Sequence, residues 1–572
     1  MKTKAIIGCL TAALAISAAS ALADQQGPSP FGPGPFGPGP FGPGPGFYDD
    51  HFHIYTGTPI KHVVVIFGEN ISFDHYFGTY PHATNPPGEP AFNAAPFTPQ
   101  INGLTPALLT NNPNLNSANG TGAANPFRLD RAQAHTADQS HAYTNEQKAF
   151  DDGKMDLFPE YTGNAGTGGT GVFDTKGLVM GYFDGNTVTA LWNYAQHFAL
   201  NDNSYSSQFG PSSPGAVNLV SGQTNGAVGH APSNGSSTST LNGLVADGQG
   251  GYTMYGDSDP FGDVCSTTSS PTSSMTGKNI GDLLNARHIS WGWFQGGFDL
   301  TMTNPNGTTG CARSTYSAIV GGYENDYVQH HQPFQYYAST QNLAHTRPTS
   351  VAVIGTSNDG GANHQYDTHD FFDALSAGNL PSVSFLKAPA VQDAHPGNSD
   401  PLDEQTFVVT VINALQQSPE WKDTAVIIAY DDSDGWYDHM NNVFNPSTSS
   451  VDALIAAGEC GPLSGGETLT PGTPPANALP GINGKPVNGR CGYGPRQPLL
   501  VISPYAKRNF IDHSVTDQSS IIQFIEDNWL RGERIGQGNY DAVAGSLEHM
   551  FDFQQAPTNP KLMLDPSLGT PE

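Results

Sequence analysis

The chain has 572 residues, enough for one large α/β domain with insertions or for two to three ordinary domains. Its 22 basic and 51 acidic side chains give a formal charge of −29, which excludes bulk attraction to nucleic acid or to an anionic membrane. An anionic ligand would need local help, and a bound metal ion is one form of it.

Residues 1–23 read as an export signal. Lys2 and Lys4 form a basic head, an Ala-rich apolar run follows from Ala5, and Ala21-Leu22-Ala23 closes it before Asp24. An exported product, periplasmic or extracellular, is expected. No later stretch approaches the roughly 18 apolar residues of a membrane helix. From Pro30 to Gly44 the motif PFGPG occurs three times. Its glycines do not fall at every third position, so it is not collagen. Residues 24–58 read as a disordered Pro/Gly tether.

Core-like strands begin beyond Pro59. HVVVIF starts at His62, PSVSFLKA spans Pro381–Ala388, TAVIIAY spans Thr424–Tyr430, and PLLVIS spans Pro498–Ser503. None alternates strictly, as expected of strands covered on both faces. EQTFVVTVINALQQS (Glu404–Ser418) and QSSIIQFIEDNWL (Gln518–Leu530) place apolar residues at helical spacing. Strands alternating with helices predict a doubly wound α/β sheet. The polar stretches near 100–125, 222–280 and 440–492 are expected as loops over that sheet. Residues 59–555 then form one domain, followed by a tail at 556–572. Cys265, Cys311, Cys460 and Cys491 suit disulfides in an exported protein. Three pairings are open, and nearest neighbours give Cys265–Cys311 and Cys460–Cys491.

In an open α/β sheet, ligands bind beyond the carboxyl ends of strands. There the first strand presents Glu69-Asn70 and the third Asp431-Asp432. Their oxygens suit a hard divalent cation, Ca²⁺ or Mg²⁺, and carboxylates also hold Zn²⁺ or Mn²⁺. An Asp pair after a strand also serves as a turn or helix cap. An EF-hand is excluded for DDSDG: with Gly435 in the glycine position, the last ligand position falls on Asn441 instead of a Glu. Ser212 and Ser213 stand in the turn GPSSPG, where small neighbours leave room around a hydroxyl. His330, His331 and His141 are candidates for phosphate contacts or proton transfer. Asp438 and His439 could orient the site from behind. Trp291 and Trp293 read as core, and His62 and His75 as structural.

The order of these words resembles the bacterial phosphoesterase family of secreted phospholipases C and acid phosphatases, a branch of the alkaline-phosphatase-like superfamily. GENISFDHYFG, GPSSPG, HHQPFQYY, DAHP (Asp393–Pro396), DDSDGWYDHM and GPRQPLLVISPYA follow in the family's sequence over about residues 60–535. The resemblance implies a three-layer α/β sandwich with a central, mostly parallel sheet. It implies metal-assisted phosphoester hydrolysis through a phosphoserine. Glu69, Asn70, Asp431 and Asp432 would hold the metal. Ser212 would be the nucleophile, with Ser213 the fallback, and His330, His331, His141 and less directly His395 would serve phosphate or protons. The lysine-bearing signal and compact layout look like the acid-phosphatase branch, so a broad phosphomonoesterase is expected, with phospholipase C as the alternative. A non-catalytic envelope-binding protein is the reading from another class.

Overall fold

The computed structural model describes residues 47–48 and 55–572, except 168–169, 236–240, 443, 450, 453–459, 461–469 and 555–560. The expected signal, Cys9 and the PFGPG repeats lie outside the described residues.

Nine strands form the main sheet. In chain order they are β1 (His62–Gly68), β2 (Ala199–Tyr205), β3 (Trp291–Gln295), β4 (Gln365–Asp367), β5 (Val383–Lys387), β6 (Thr424–Tyr430), β7 (Arg496–Ile502), β8 (Phe510–Asp512) and β9 (Thr516–Asp517). The spatial order is β4-β3-β5-β1-β6-β7-β2-β8, with β9 also pairing with β2. Neighbours run parallel except where β7 pairs antiparallel with β6 and β2. Every residue of β5, β6 and β7 is buried, so both faces of the central sheet are covered and the architecture has three layers. Val64 pairs with Ser384 on one side and Val426 on the other, and Gly68 pairs with Tyr430. The register therefore ends β5, β1 and β6 at one level, where Lys387, Glu69 and Asp431 stand.

Five helices matter for the site: α1 (Phe73–Phe77), α2 (Tyr143–Phe150), α3 (Ser212–Ser221), α4 (Pro401–Gln417) and α5 (Ser519–Trp529). Asp400 caps α4 by accepting from the Leu402 and Asp403 amides at 2.7 and 2.9 Å. Both helices read from periodicity are present.

Three boundaries differ from the sequence expectation. Residues 222–280 are more than a loop. Asn225–His230, Leu244–Ala246, Tyr252–Met254 and Thr272–Met275 form a four-stranded antiparallel sheet. These runs are three to six residues long, too short to show a strand pattern, and two of them, NGAVGH and TSSM, are rich in Gly, Ser and Thr. The body also starts before residue 59, since the Thr58 amide and hydroxyl both donate to Asn528 Oδ1. At the other end, Leu564 is buried, and Asn413 and Gln416 of α4 donate to the Leu564 and Leu562 carbonyls. This stretch packs on the body rather than trailing from it. The cysteines pair as Cys265–Cys311 and Cys460–Cys491.

Glu404 fastens α4 beneath the site. Its carboxylate accepts from Tyr430 OH at 2.6 Å and Tyr76 OH at 3.1 Å, joining the last residue of β6 to α1. Burial raises the Glu404 carboxyl to about 7, although the two tyrosines oppose the shift. A raised carboxyl contributes its stability below the unfolded value and loses it as pH climbs through the folded one. Glu404→Gln should therefore gain on wild type as pH rises from about 4.5 to 7, by roughly 3 kcal/mol at most. Urea melts across that range check the sign.

Candidate active site

Glu69 and Asn70 leave β1, Asp431 and Asp432 leave β6, and all four side chains are buried. Asn70 sits at φ 54°, the left-handed region that Asn tolerates better than most residues. This turn aims its carboxamide back at the carboxylates. The amide atom facing them lies 2.7 Å from Glu69 Oε2, 3.2 Å from Asp431 Oδ1 and 3.3 Å from Asp432 Oδ2. With its nitrogen forward, Asn70 donates to all three while His395 Nε2, at 3.1 Å, reaches its oxygen. With its oxygen forward, four oxygens converge on one point. Such a crowded oxygen set fits a hard divalent cation.

Ser212 opens α3 directly after Gly210-Pro211. Its Oγ donates to Asp432 Oδ2 at 3.0 Å and lies 3.4 Å from Glu69 Oε2. The N-terminus of a ten-residue helix favours negative charge at this position. Ser213 turns elsewhere: its amide donates to Asp257 Oδ1 at 2.9 Å, and Tyr336 OH lies 3.5 Å from its hydroxyl. The geometry separates the two serines, which sequence alone left as first choice and fallback.

Two glycines permit this placement. Gly210 has φ 112°, and its amide donates to Glu146 Oε2 at 2.8 Å. The other Glu146 oxygen accepts from Ser433 at 2.7 Å, so one carboxylate on α2 ties the serine turn to the loop after β6. At Gly215, α3 crosses so close to β6 that a Cβ would overlap the Asp431 carbonyl oxygen.

The histidines surround this nest. His331 is buried, with Nδ1 2.9 Å from Glu69 Oε1. Burial, then the neighbouring His330 and Lys387, push His331 well below the usual histidine range, so its ring is neutral. His141 Nδ1 lies 3.0 Å from Asp434 Oδ1. Burial opposes charge on His141, but Asp432 and Asp434 outweigh it and raise the ring well above its ordinary value. His330 sits at the rim, 3.8 Å from Asp259. Burial again opposes, and Asp257 and Asp259 raise it. The His395 ring stands 5.8 Å from that of His141. A cavity of about 540 Å³ opens beside Ser212, lined by Asp138, His141, Asn164, Pro211, Tyr255 and Asp257 among others.

Behind the nest, Arg496 is buried against Asp438 and Asp74, each at 3.0 Å, and His439 Nδ1 lies 2.6 Å from Asp74. Asp438 also accepts from the Asp74 amide at 3.0 Å, bracing the start of α1. His75 stacks on buried Trp436 with ring centroids 3.9 Å apart and binds the Gly181 carbonyl, while Trp291 and Trp293 are core. Sequence reasoning missed Lys387, whose ammonium pairs with Glu69 and, at 3.0 Å, with Asp431. It lies at the end of the strand run PSVSFLKA, so the strand-end rule that found Glu69 could have found it. Asp434 and Asp257 were also missed. Asp434 lies inside DDSDGWYDHM, and Asp257 lies in a stretch without pattern.

Residues 60–530 match the Phosphoesterase family. This chain belongs to that family. Within it, the chain is 25% identical to the non-hemolytic phospholipase C of Pseudomonas aeruginosa, covering 88% of this chain and 58% of that one. It is 23% identical to phospholipase C A of Mycobacterium tuberculosis, covering 90% and 81%. The chain thus spans about three fifths of the length of the non-hemolytic phospholipases C it matches. Among solved structures, a protein in the alkaline phosphatase superfamily from Vibrio parahaemolyticus matches with 10% identity and a TM-score of 0.25, covering 76% of this chain and 79% of that one.

Gly215→Ala should push α3 and the Asp431 backbone apart while removing no polar group from the nest. Overpacking of this kind costs about 1–3 kcal/mol. The expected result is a lower urea midpoint together with a weaker hold on any cation at the nest, read by calorimetric titration with Mn²⁺.

Proposed function

We propose that this member of the Phosphoesterase family hydrolyses phosphoesters with Ser212 as nucleophile. The observation that carries the reading is the Ser212 hydroxyl at the head of α3, hydrogen-bonded into a buried oxygen nest. Glu69, Asn70, Asp431 and Asp432 would hold a divalent metal ion, which when bound supplies Lewis-acid stabilisation of negative oxygen.

The chain's own groups do the rest. Asp432, which accepts the Ser212 hydrogen bond, takes the hydroxyl proton as Oγ attacks. Ser212 Oγ bonds to phosphorus as the ester P–O bond breaks, and the N-terminus of α3 favours the charge on the phosphoryl oxygens. His141 and His330, both shifted upward by neighbouring carboxylates against the cost of burial, flank the site. They can bind phosphate oxygens or give a proton to the departing alcohol. Water then splits the phosphoserine and releases phosphate or its monoester. Glu146 and Asp438 hold the loops without touching the reacting atoms.

Two substrate classes arise from two observations. Two histidines with raised affinity for a proton suit the non-bridging oxygens of a phosphomonoester, the substrate of an acid phosphatase. The cavity wall, with Asp138, Asp257 and Tyr255, suits a positive group beside the phosphate, as in a choline-type phospholipid. The relatives named phospholipase C support that diester reading, which we favour. Both disulfides suit an oxidising compartment outside the cytoplasm. No described helix is long and apolar enough to cross a membrane.

The test is a paired assay of wild type and Ser212→Ala with p-nitrophenyl phosphate and p-nitrophenyl phosphorylcholine, with and without chelator. Ser212→Ala should lose at least about 10³-fold in turnover, in keeping with loss of a nucleophile, and chelation should silence wild type until metal is restored. Turnover confined to the phosphorylcholine ester supports the phospholipase reading; turnover confined to the monoester supports the phosphatase reading. Full activity in Ser212→Ala would remove Ser212 from the mechanism.

A further inference from the structure

A second cluster of ligand-type atoms lies on the far side of Glu69. Glu69, His331 and Asp393 bring one atom each within 4.8 Å of one another, and all three residues are buried. Asp393 enters through the backbone, its carbonyl accepting the Glu69 amide at 2.9 Å. Its Oδ1 accepts from the His395 amide at 3.0 Å. Its Oδ2 is buried and has no hydrogen-bond partner. Two carboxyl groups and an imidazole make a donor set suited to Zn²⁺ or Mn²⁺.

A positive group is already there. The Lys387 ammonium pairs with Glu69 Oε1, the same oxygen that His331 Nδ1 approaches at 2.9 Å. It also reaches Asp431 Oδ2 at 3.0 Å and the Gly68 carbonyl at 3.3 Å. Its side chain is 1% exposed, and its nitrogen stands 5.1 Å from the centre of the Phe67 ring. The ammonium cannot swing into water without breaking both carboxylate contacts, and a divalent ion beside it would meet a like charge at contact range with little solvent to screen it.

We propose that Lys387 is a built-in cation that closes the Glu69–His331–Asp393 nest to a second divalent metal ion, holding the chain to a single ion. This rests on the reading that Glu69, Asn70, Asp431 and Asp432 take the first. Asp393 is then a spectator while Lys387 is present and a ligand when it is gone.

Metal content decides it. Wild type, Lys387→Met, Asp393→Asn and the double variant are stripped with chelator, dialysed against micromolar free Mn²⁺ or Zn²⁺, and analysed by elemental mass spectrometry, with melting followed in parallel. The expected contents are one ion per chain for wild type and Asp393→Asn, two for Lys387→Met, and one for the double variant. Lys387→Met should also gain more in melting temperature from Mn²⁺ than wild type does. Wild type with two ions and Asp393→Asn with one would overturn the proposal, since the nest would already be open. So would a folded Lys387→Met that stays at the wild-type content, or one that no divalent cation brings to a folded state. Wild type with none and Lys387→Met with one would remove the first-ion reading and support the closed nest.

Discussion

Everything at the working edge depends on gathering negative charge where water cannot reach it. Glu69, Asp393, Asp431, Asp432 and Asp434 are all buried within one stretch of the sheet's carboxyl edge. Isolated buried carboxylates are expensive, so each must be paired, protonated or bound to a cation. The responses differ by position. Burial opposes ionisation of Glu69, but Lys387, Asp431 and His395 together outweigh it and hold this carboxyl below its usual range. Asp431 is pushed up to about 6 by burial and by Glu69. Asp432 and Asp393 are pushed further, burial again leading. The chain keeps a charge deficit here that a cation would relieve, and the surrounding hydrogen bonds keep the carboxylates from moving apart to relieve it themselves.

That rigidity is distributed. Glu404 ties α1 and β6 from below, Glu146 ties the serine turn to the loop after β6, and Arg496 holds Asp74 and Asp438 together behind. Each is a buried charge or polar group whose partners lie far away in sequence. Glu146 and Arg496 each fix a segment that has no regular structure of its own, and Glu404 joins a helix to a strand.

The scaffold was legible in the sequence wherever apolar runs declare a strand. HVVVIF, TAVIIAY and PLLVIS needed only their composition, and the strand-end rule led from two of them to the carboxylates. β2 was not legible. ALNDNSY is polar, and it qualifies as a buried strand only because groups such as Asn201, which donates to Asp512 Oδ2 at 3.0 Å, find partners in β8. The four-stranded insert was hidden because its runs are only three to six residues long and are separated by Gly- and Ser-rich turns. Among the site residues, Glu69, Asn70, Ser212, Asp431, Asp432, His331, His141 and His330 do converge around one nest. The family's word order carried much of that reading. Lys387 stood within reach of the strand-end rule, whereas Asp257 escaped because a lone aspartate gains meaning only from the groups that lie across from it.

The reversed direction of β7 has a consequence for how such an edge can be built. Strands that run with the majority reach the site as they end, so most of their contributions come on the loops beyond them. β7 arrives with its first residue, and Arg496 pairs with Tyr205, the last residue of β2, at the height where that neighbour is ending. A guanidinium rooted in a strand cannot drift as a loop residue can. One inverted strand thus plants a positive post at the site edge, and the separation of Asp74 and Asp438 is set by a residue of the sheet itself.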